Sequence, residues 1–521
     1  MLLALLLPRP AGAVELKLPG EGRTIEVLLN QTLIGEYHSD VDVIGGNDSP
    51  SYFDVKNRTG IVLMHGTTSF NLRFDAQGFA GAEDNVAKSF SYENYFSLEK
   101  ISLSSTQRAF EVTMGDFGVR VGRGLALDLT RVDVLFRDTT LRGAQLRVNT
   151  RIVDAQVFGG WVNPLGVDDF EEAPVDVPDD VIGGGRIEVR PHRAVALGLH
   201  YVGGGLESRT LMTRNATHTI GASVELPSLG GWLSAYGEFN FMRQARDVDV
   251  LSGTGTYLNL TSNLGPVAIQ LELKFYQRLQ FVNVFGAAEW DTQIYNRPPT
   301  LMWSKQEVIN NHDVIGPALR LDYRIEKLGS TIWASYGRFF RSDAAPEVGF
   351  FDSGVDVNNA FGGLQQTLRG GALDLTGGYR LDTRSQDGDS ITDYSQAFAE
   401  LELALALWRG HSIEVEAMYR KVKKSAEDFS ELHISLGYRP SKWVAGSVTY
   451  EYSNELTDTD PTDDITVHNH FGGVTGTVNF TPSSYARLFA GTTRGGIRCI
   501  DGFCREVPPF MGARLEAVLQ F

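Results

Sequence analysis

Charged side chains recur at every second position along much of this chain. Between residues 413 and 420, Glu414, Glu416 and Arg420 alternate with apolar residues such as Val415 and Tyr419. A charge that faces hydrocarbon at the middle of a membrane costs about 2–4 kcal/mol, so these groups must face water or one another. Their chemistry is that of a polar lining, which attracts or repels ions and small solutes. The residues predicted to line such a pore are Glu272, Lys274, Arg320, Asp322, Arg324, Glu326, Asp374, Arg380, Glu400, Glu402, Glu414, Glu416, Arg420, Glu431, His433, Arg514 and Glu516.

Acids outnumber bases in this set. The excess predicts a modest preference for cations. Mixed ladders of Arg and Glu also resemble the lining of pores for polar solutes such as sugars or amino acids, so the solute stays open.

A second group of carboxylates lies in one acidic segment near the C-terminal end. Carboxylates two residues apart could bind Ca²⁺, which takes six to eight oxygen ligands. The spacing does not match an EF-hand, and a solvated acidic loop is the alternative. We therefore assign no metal and keep four weak calcium candidates: Asp458, Asp460, Asp463 and Asp464.

The two cysteines, Cys499 and Cys504, are close in sequence, with Gly502 between them. In an exported protein such a pair predicts a local disulfide, because the periplasm is oxidising. A metal or redox pair is the alternative, although neither a His nor a third Cys lies nearby.

Motifs for catalysis or cofactor binding are weak. No Gly-x-Ser-x-Gly elbow stands out. The stretch from Gly118 to Gly124 is rich in glycine but lacks the Gly-Lys-Ser/Thr of a phosphate loop. We expect no enzyme activity and no cofactor.

The elements that must position the charged residues are β-strands. Period-two alternation over about 10 to 13 residues is what a tilted strand needs to cross a bilayer. Tight turns rich in Pro, Gly, Asn and Ser alternate with longer connections. We predict an all-β fold: a closed, antiparallel transmembrane β-barrel of even strand number, about 22 (range 18–24), with short periplasmic turns and long extracellular loops. Roughly 18 strands would follow residue 153, and 2 to 4 would precede it.

Composition favours one exported domain. The chain has 521 residues and a net charge of −17, which argues against binding nucleic acid. Residues 1–13 read as a signal peptide, possibly truncated, because an apolar run precedes a small-x-small pattern ending at Ala13. Residues 14–521 then form a single barrel domain, in which 117–137 are a candidate inward-folded segment.

Two resemblances support this interpretation. The C-terminal stretch from Met511 to Phe521 is apolar at alternate positions and ends in an aromatic residue. It resembles the insertion signal of outer-membrane barrels, which implies that Phe521 is recognised by the barrel-assembly machinery. The stretches 115–127 and 138–144 are similar to a family of uncharacterised outer-membrane barrel proteins of Gram-negative cells, which implies a barrel but no substrate.

We therefore expect an outer-membrane channel for passive diffusion of small hydrophilic solutes through a mixed-charge lumen. A non-conducting structural or adhesive barrel is the first alternative. An export conduit or a hydrolase sited at the barrel rim ranks lower. The expected partners are outer-membrane lipid and lipopolysaccharide, the assembly machinery and the solutes.

Overall fold

A computed structural model describes most of the chain. The described residues are 14–17, 24–39, 51–81, 94–130, 138–163, 180–208, 213–245, 250–281, 294–302, 313–342, 354–386, 389–424, 427–455, 469–500, 503–507 and 509–521. The predicted signal peptide, the four calcium candidates and residues 131–137 lie outside them.

The described residues are organised almost entirely as β-strands. In chain order these are β1 (Val14–Lys17), β2 (Thr24–His38), β3 (Tyr52–His65), β4 (Thr68–Ala80), β5 (Tyr95–Gln107), β6 (Phe110–Phe117), β7 (Val119–Val121), β8 (Leu127–Leu129), β9 (Thr140–Asn149), β10 (Val153–Asn163), β11 (Val181–His192), β12 (Val195–Ser208), β13 (Thr213–Leu229), β14 (Leu233–Ala245), β15 (Val250–Leu264), β16 (Val267–Gln277), β17 (Val314–Ile325), β18 (Ser330–Ser342), β19 (Gly354–Leu368), β20 (Gly371–Gln386), β21 (Asp389–Ala406), β22 (Ser412–Lys424), β23 (Glu427–Ser441), β24 (Val444–Ser453), β25 (His470–Asn479), β26 (Tyr485–Thr493), β27 (Gly496–Ile500), β28 (Phe503–Val507) and β29 (Phe510–Gln520).

Antiparallel pairing closes the sheet into a barrel. Each wall strand pairs with its neighbours, and the last strand, β29, pairs with β2 from Gly512 opposite His38 to Gln520 opposite Asn30. The backbone N–H of Leu29 donates to the carbonyl of Phe521 at 3.0 Å, which extends this seam to the last residue. Closure leaves no free sheet edge, as a strand-built membrane protein requires.

The closed wall has 24 strands in the described part of the chain. The short β1 pairs only with the first residues of β2, and two small hairpins, β7–β8 and β27–β28, form sheets of their own. The predicted number of about 22 is close but too low. The region upstream of residue 153 contributes more wall strands than expected, namely β2 to β6 and β9.

The two faces of the wall differ in chemistry. Leu197, Leu199 and Tyr201 of β12 are exposed on one face, whereas His200 and Val202, at the alternate positions, are buried on the other. This alternation repeats around the barrel and gives an apolar outer face and a polar inner face. Of the helices in the described residues, none combines the length and the hydropathy that a membrane span requires.

The two ends of the barrel carry connections of different length. At one end β3 stops at His65 and β4 starts at Thr68. At the other end β16 stops at Gln277 and β17 starts only at Val314. We refer to these as the short-turn end and the loop end.

Candidate pore in the barrel lumen

Residues 118–130 fold into the barrel as a hairpin built from β7 and β8, which we name the lumen hairpin. Val121, Leu125, Leu127 and Leu129 are fully buried there. Their partners are apolar side chains on the inner face of the wall, so the hairpin lies inside the barrel. The apolar side chains from Val119 to Leu129 therefore pack against the inside of the barrel wall and do not face lipid.

The tip of the lumen hairpin is fixed by Arg123. Its backbone N–H donates to Oε2 of Glu238 at 3.1 Å, and its guanidinium lies 3.9 Å from the centroid of the Tyr236 ring. Gly122 precedes it with φ of 63°, and a Cβ at that position would stand 2.1 Å from a carboxylate oxygen of Glu238. Tyr236 lies near the start of β14 at Leu233, so the hairpin reaches from the loop end almost to the short-turn end.

Residues 294–302, which we name the crossing segment, form no regular strand but run beside the hairpin and are hydrogen-bonded to it. The N–H of Asp128 donates to the carbonyl of Tyr295 at 2.7 Å, and the N–H of Arg297 donates to the carbonyl of Gly124 at 2.8 Å. The side chain of Asn296 donates to the carbonyl of Leu125 at 3.0 Å. These bonds satisfy backbone groups that water cannot reach.

The hairpin and the crossing segment cover only one side of the lumen. We call the inner face of β9 to β19 the covered wall. The strand residues that pack in this cluster are Leu141, Phe158, Val162, Ile182, Val202, Leu206, Tyr236, Met242, Tyr257, Tyr276, Val314, Ala318, Phe339, Val355 and Val357.

The opposite side, which we call the open wall, is the inner face of β21 to β26 and β29. Toward the short-turn end its charged side chains are accessible: the exposed fractions are 62% for Glu414, 49% for Arg439 and 48% for Arg487. Between them, small residues including Gly437, Ser447 and Thr475 line a cavity of about 110 Å³. Because these side chains are small, they leave room for the cavity, and their hydroxyl groups give it a polar lining.

Carboxylates concentrate at one side of the open wall. Oxygen atoms of Glu400, Glu402 and Glu416 lie within 4.8 Å of one another, which is close enough for one cation to be shared. On the far side, Arg487 lies 3.6 Å from Glu516. The lumen therefore has an acidic flank and a flank of mixed charge.

Toward the loop end the open wall contains buried side chains, which we name the loop-end cluster. Phe398, Glu431 and Phe471 are buried there. Glu431 pairs with both Arg420 and Arg494, and Arg494 pairs in turn with Glu455. The chain of charges ties β22 and β23 to residues beyond the ends of β24 and β26.

The predicted lining residues fall into four groups. Glu272 and Lys274 lie on the covered wall, where they are buried and pair with each other at 3.2 Å. Glu326 lies in the short turn Glu326–Leu328 at the short-turn end. Buried or half-buried ion pairs hold others on the inner face of β17, β20, β22, β23 and β29: Arg320 with Asp322, Arg380 with Asp382, Arg420 with Glu431, and Arg514 with Glu36. His433 of β23 lies within hydrogen-bond distance of Glu451, at 3.1 Å.

The remaining predicted residues occupy strand positions on the inner face, as their cross-strand partners show. They are Arg324, Asp374, Glu400, Glu402, Glu414, Glu416 and Glu516. Their role as a pore lining stays a prediction. Sequence reasoning missed the small lining residues and Arg123. The small lining residues could have been found from the period-two pattern of Ser447 and Thr449 and of Thr475 and Thr477. Uncharged hydroxyl side chains also occur on solvent-facing strands, so they indicate a pore lining less strongly than carboxylates do.

The cysteines lie in the β27–β28 hairpin, where Cys499 is directly opposite Cys504. Residues opposite each other in an antiparallel pair have Cα atoms about 4.5–5.5 Å apart, within the range of a disulfide. Their side chains lie outside the description, and the disulfide stays a prediction.

Comparisons with known proteins find likenesses among solved structures only. No known protein family matches the sequence, and no curated protein matches it. Among solved structures, the siderophore receptor PirA from Pseudomonas aeruginosa matches with a TM-score of 0.50 and 10% identity over 95% of this chain and 80% of that chain. The outer membrane protein OpdK from Pseudomonas aeruginosa matches with a TM-score of 0.40 and 14% identity over 76% of this chain and 99% of that one. The P pilus usher PapC translocation pore matches with a TM-score of 0.41 and 10% identity over 95% and 99%.

Identities this low bear on the fold alone. The closed wall of 24 strands, its apolar outer face and its polar lumen agree with that fold. The chain is a multi-pass β-barrel of the outer membrane.

Proposed function

We propose that this barrel is a channel for passive diffusion of small hydrophilic solutes, and that the path runs along the open wall. The observation that carries the proposal is the asymmetry of the lumen. The hairpin and crossing segment pack against the covered wall, while charged and hydroxyl-bearing side chains of the open wall remain accessible.

The size of the barrel supports this function. Side chains alone can fill a barrel of about eight strands, whereas barrels of 16 or more strands keep an aqueous channel unless a plug fills them. Among the described residues, the inward segments cover one side only. We infer that the path is narrower than the empty barrel and that its upper size limit is set at the loop-end cluster around Glu431.

The charge of the path supports a preference for cations. The acidic flank contains Glu400, Glu402, Glu414 and Glu416 on two adjacent strands, and Arg439 lies 3.8 Å from Glu414. A cluster of carboxylates such as this one raises the local concentration of cations. Neutral polar solutes can pass the same hydroxyl-lined surface.

The buried lumen hairpin favours one rival, a non-conducting barrel that serves a structural or adhesive role. Conductance separates the two. We expect stepwise openings when the refolded chain is inserted into a planar bilayer. Silence from a correctly folded barrel would contradict the channel and support the rival.

Cysteine accessibility locates the path. The test uses a chain in which Cys499 and Cys504 are replaced by Ser. The current through its Thr475→Cys variant should fall when a cationic thiol reagent is added, because this side chain lies on the open wall and faces the proposed path. Val474→Cys is the matched control, since Val474 is the neighbouring residue on the outer face and is 58% exposed there. Thr219→Cys, fully buried on the covered wall, should also be unaffected. Equal block at all three positions would contradict the proposed path.

A further inference from the structure

The outer face of β18 to β22 contains an apolar recess, which we name the outer groove. Its floor consists of Gly362, Gly377 and Ala399, which are direct neighbours across β19, β20 and β21. The groove has a volume of about 780 Å³. That volume lies within the range of about 300–1,000 Å³ typical of small-molecule sites.

Large apolar side chains border this floor. The borders include Ile332, Leu364, Leu375, Leu401, Tyr419 and Leu432. On this face Ile332 and Tyr419 are half exposed. Side chains of equal size would give the barrel a smooth surface with no recess for a lipid chain. The small residues of this floor leave the backbone accessible, so that one hydrocarbon chain can lie against it.

Cations lie beside the groove toward the loop end. Lys421 follows Tyr419 on the same face of β22, and Lys423 follows Lys421. Arg338 on β18 and Lys423 on β22 belong to one cross-strand row, which runs through Asn358, Leu381 and Ser395.

Two carboxylates accompany these three cations. Arg338 pairs with Asp356 at 2.6 Å, and Lys421 pairs with Asp428 at 3.3 Å. Three cations and two carboxylates leave this group with one net positive charge, which complements an anionic head group. An apolar groove with cations at one end has the chemistry of a site for a phosphorylated amphiphile.

We propose that the outer groove binds one acyl chain of lipopolysaccharide, with a lipid phosphate near Lys421 and Lys423, which are two residues apart on the same face of β22. The cations stand at the loop end, which carries the long connections expected outside the cell, so the lipid comes from the outer leaflet. This site lies on the membrane face of the barrel, and it is separate from the proposed path in the lumen.

Native mass spectrometry of the refolded full-length chain tests the site, with purified lipid A, phosphatidylglycerol and phosphatidylethanolamine as competing probes. We expect one retained lipid A. Ala399→Phe fills the floor and should lower its occupancy about tenfold, as should the pair Lys421→Gln and Lys423→Gln. Matched controls are Ala222→Phe, an exposed outer residue on β13, and Arg243→Gln, an exposed residue near the loop end of β14. Both controls should retain lipid A.

Three results would overturn the proposal. Equal retention by Ala399→Phe and Ala222→Phe would show that the groove holds no lipid. Equal binding of phosphatidylglycerol would show a general lipid surface. A change in oligomeric state of Ala399→Phe, without a change in lipid occupancy, would assign the groove to a second copy of the chain.

Discussion

The side chain of Arg123 adds a contact between the tip of the lumen hairpin and the covered wall. The guanidinium stacks on Tyr236 and lies 3.9 Å from Glu225, a half-exposed pair that adds little stability. The cation–π contact contributes about 0.5–1 kcal/mol at such a site. We expect Arg123→Ala to raise the noise and the number of substates in single-channel recordings, because the tip gains freedom.

Arg123→Lys is the matched control for this substitution. It keeps the charge but loses the planar group, so its current noise should lie between that of the alanine variant and the native chain. A quiet Arg123→Ala channel would mean that the backbone bonds of the hairpin hold the tip without help.

Glu455 pairs with Arg494 of the loop-end cluster and lies outside the strands. Burial raises the pKa of its carboxyl, the neighbouring Arg494 lowers it and Glu431 raises it, with a net upward shift. A raised pKa means that the folded state binds the proton more tightly than the unfolded state does. This contribution to stability is present at low pH and is lost as the pH rises through the folded-state pKa.

A pH series tests that assignment. From about pH 4 to pH 7, the free energy of unfolding of the native chain should fall relative to that of Glu455→Gln, which cannot ionise. Urea titrations of both chains in the same detergent measure the difference. Parallel curves would show that Glu455 titrates as it does in the unfolded chain.

At the scale of elements, one glycine lies where β6 stops pairing with β5, two residues before β6 ends. Gly115 near the end of β6 has φ of 94°, and a Cβ there would stand 2.0 Å from the carbonyl oxygen of Ile101. We expect Gly115→Ala to destabilise the barrel by at least about 1–3 kcal/mol, from the strained φ alone. Gly476→Ala is the control, since nothing lies within 4 Å of that added Cβ, and its change should stay within about 1 kcal/mol. Similar unfolding midpoints for the two variants would contradict this effect of Gly115→Ala.

A break of register in β5 explains why its alternation is hard to read in the sequence. The pairing shifts between Arg73 and Phe74, so Leu98 and Lys100 face consecutive partners and Glu99 is the extra residue. A β-bulge of this kind reverses the parity of everything that follows it. Period-two alternation therefore appears interrupted, although the strand continues.

At the scale of the whole molecule, the lumen hairpin restricts the path. Replacing residues 119–129 by a short Gly-Ser linker should raise single-channel conductance several-fold, because the covered wall then becomes accessible to water. The control is removal of the β27–β28 hairpin, whose described residues pair only with each other, and this should leave the conductance of the path unchanged. Unchanged conductance in the first variant would place the limiting constriction at the loop end, around Glu431.

The parity of the strands could be predicted from the sequence, because a strand is a local structure in which successive side chains point to opposite faces. Glu414 and Glu416 on one face and Val415 on the other follow directly. The same reasoning located the closing strand and an approximate strand number. It also pointed to one segment, residues 117–137, as a candidate for folding inward.

Only the tertiary structure decided which side of the lumen is covered. The bond from Arg123 to Glu238 spans 115 positions and the bond from Asn296 to Leu125 spans 171. Glu272 and Glu414 share the same local pattern, yet one is buried and the other accessible. The difference depends on how two distant segments meet inside a closed sheet, and the alternation of a strand specifies its own two faces but not what packs against them.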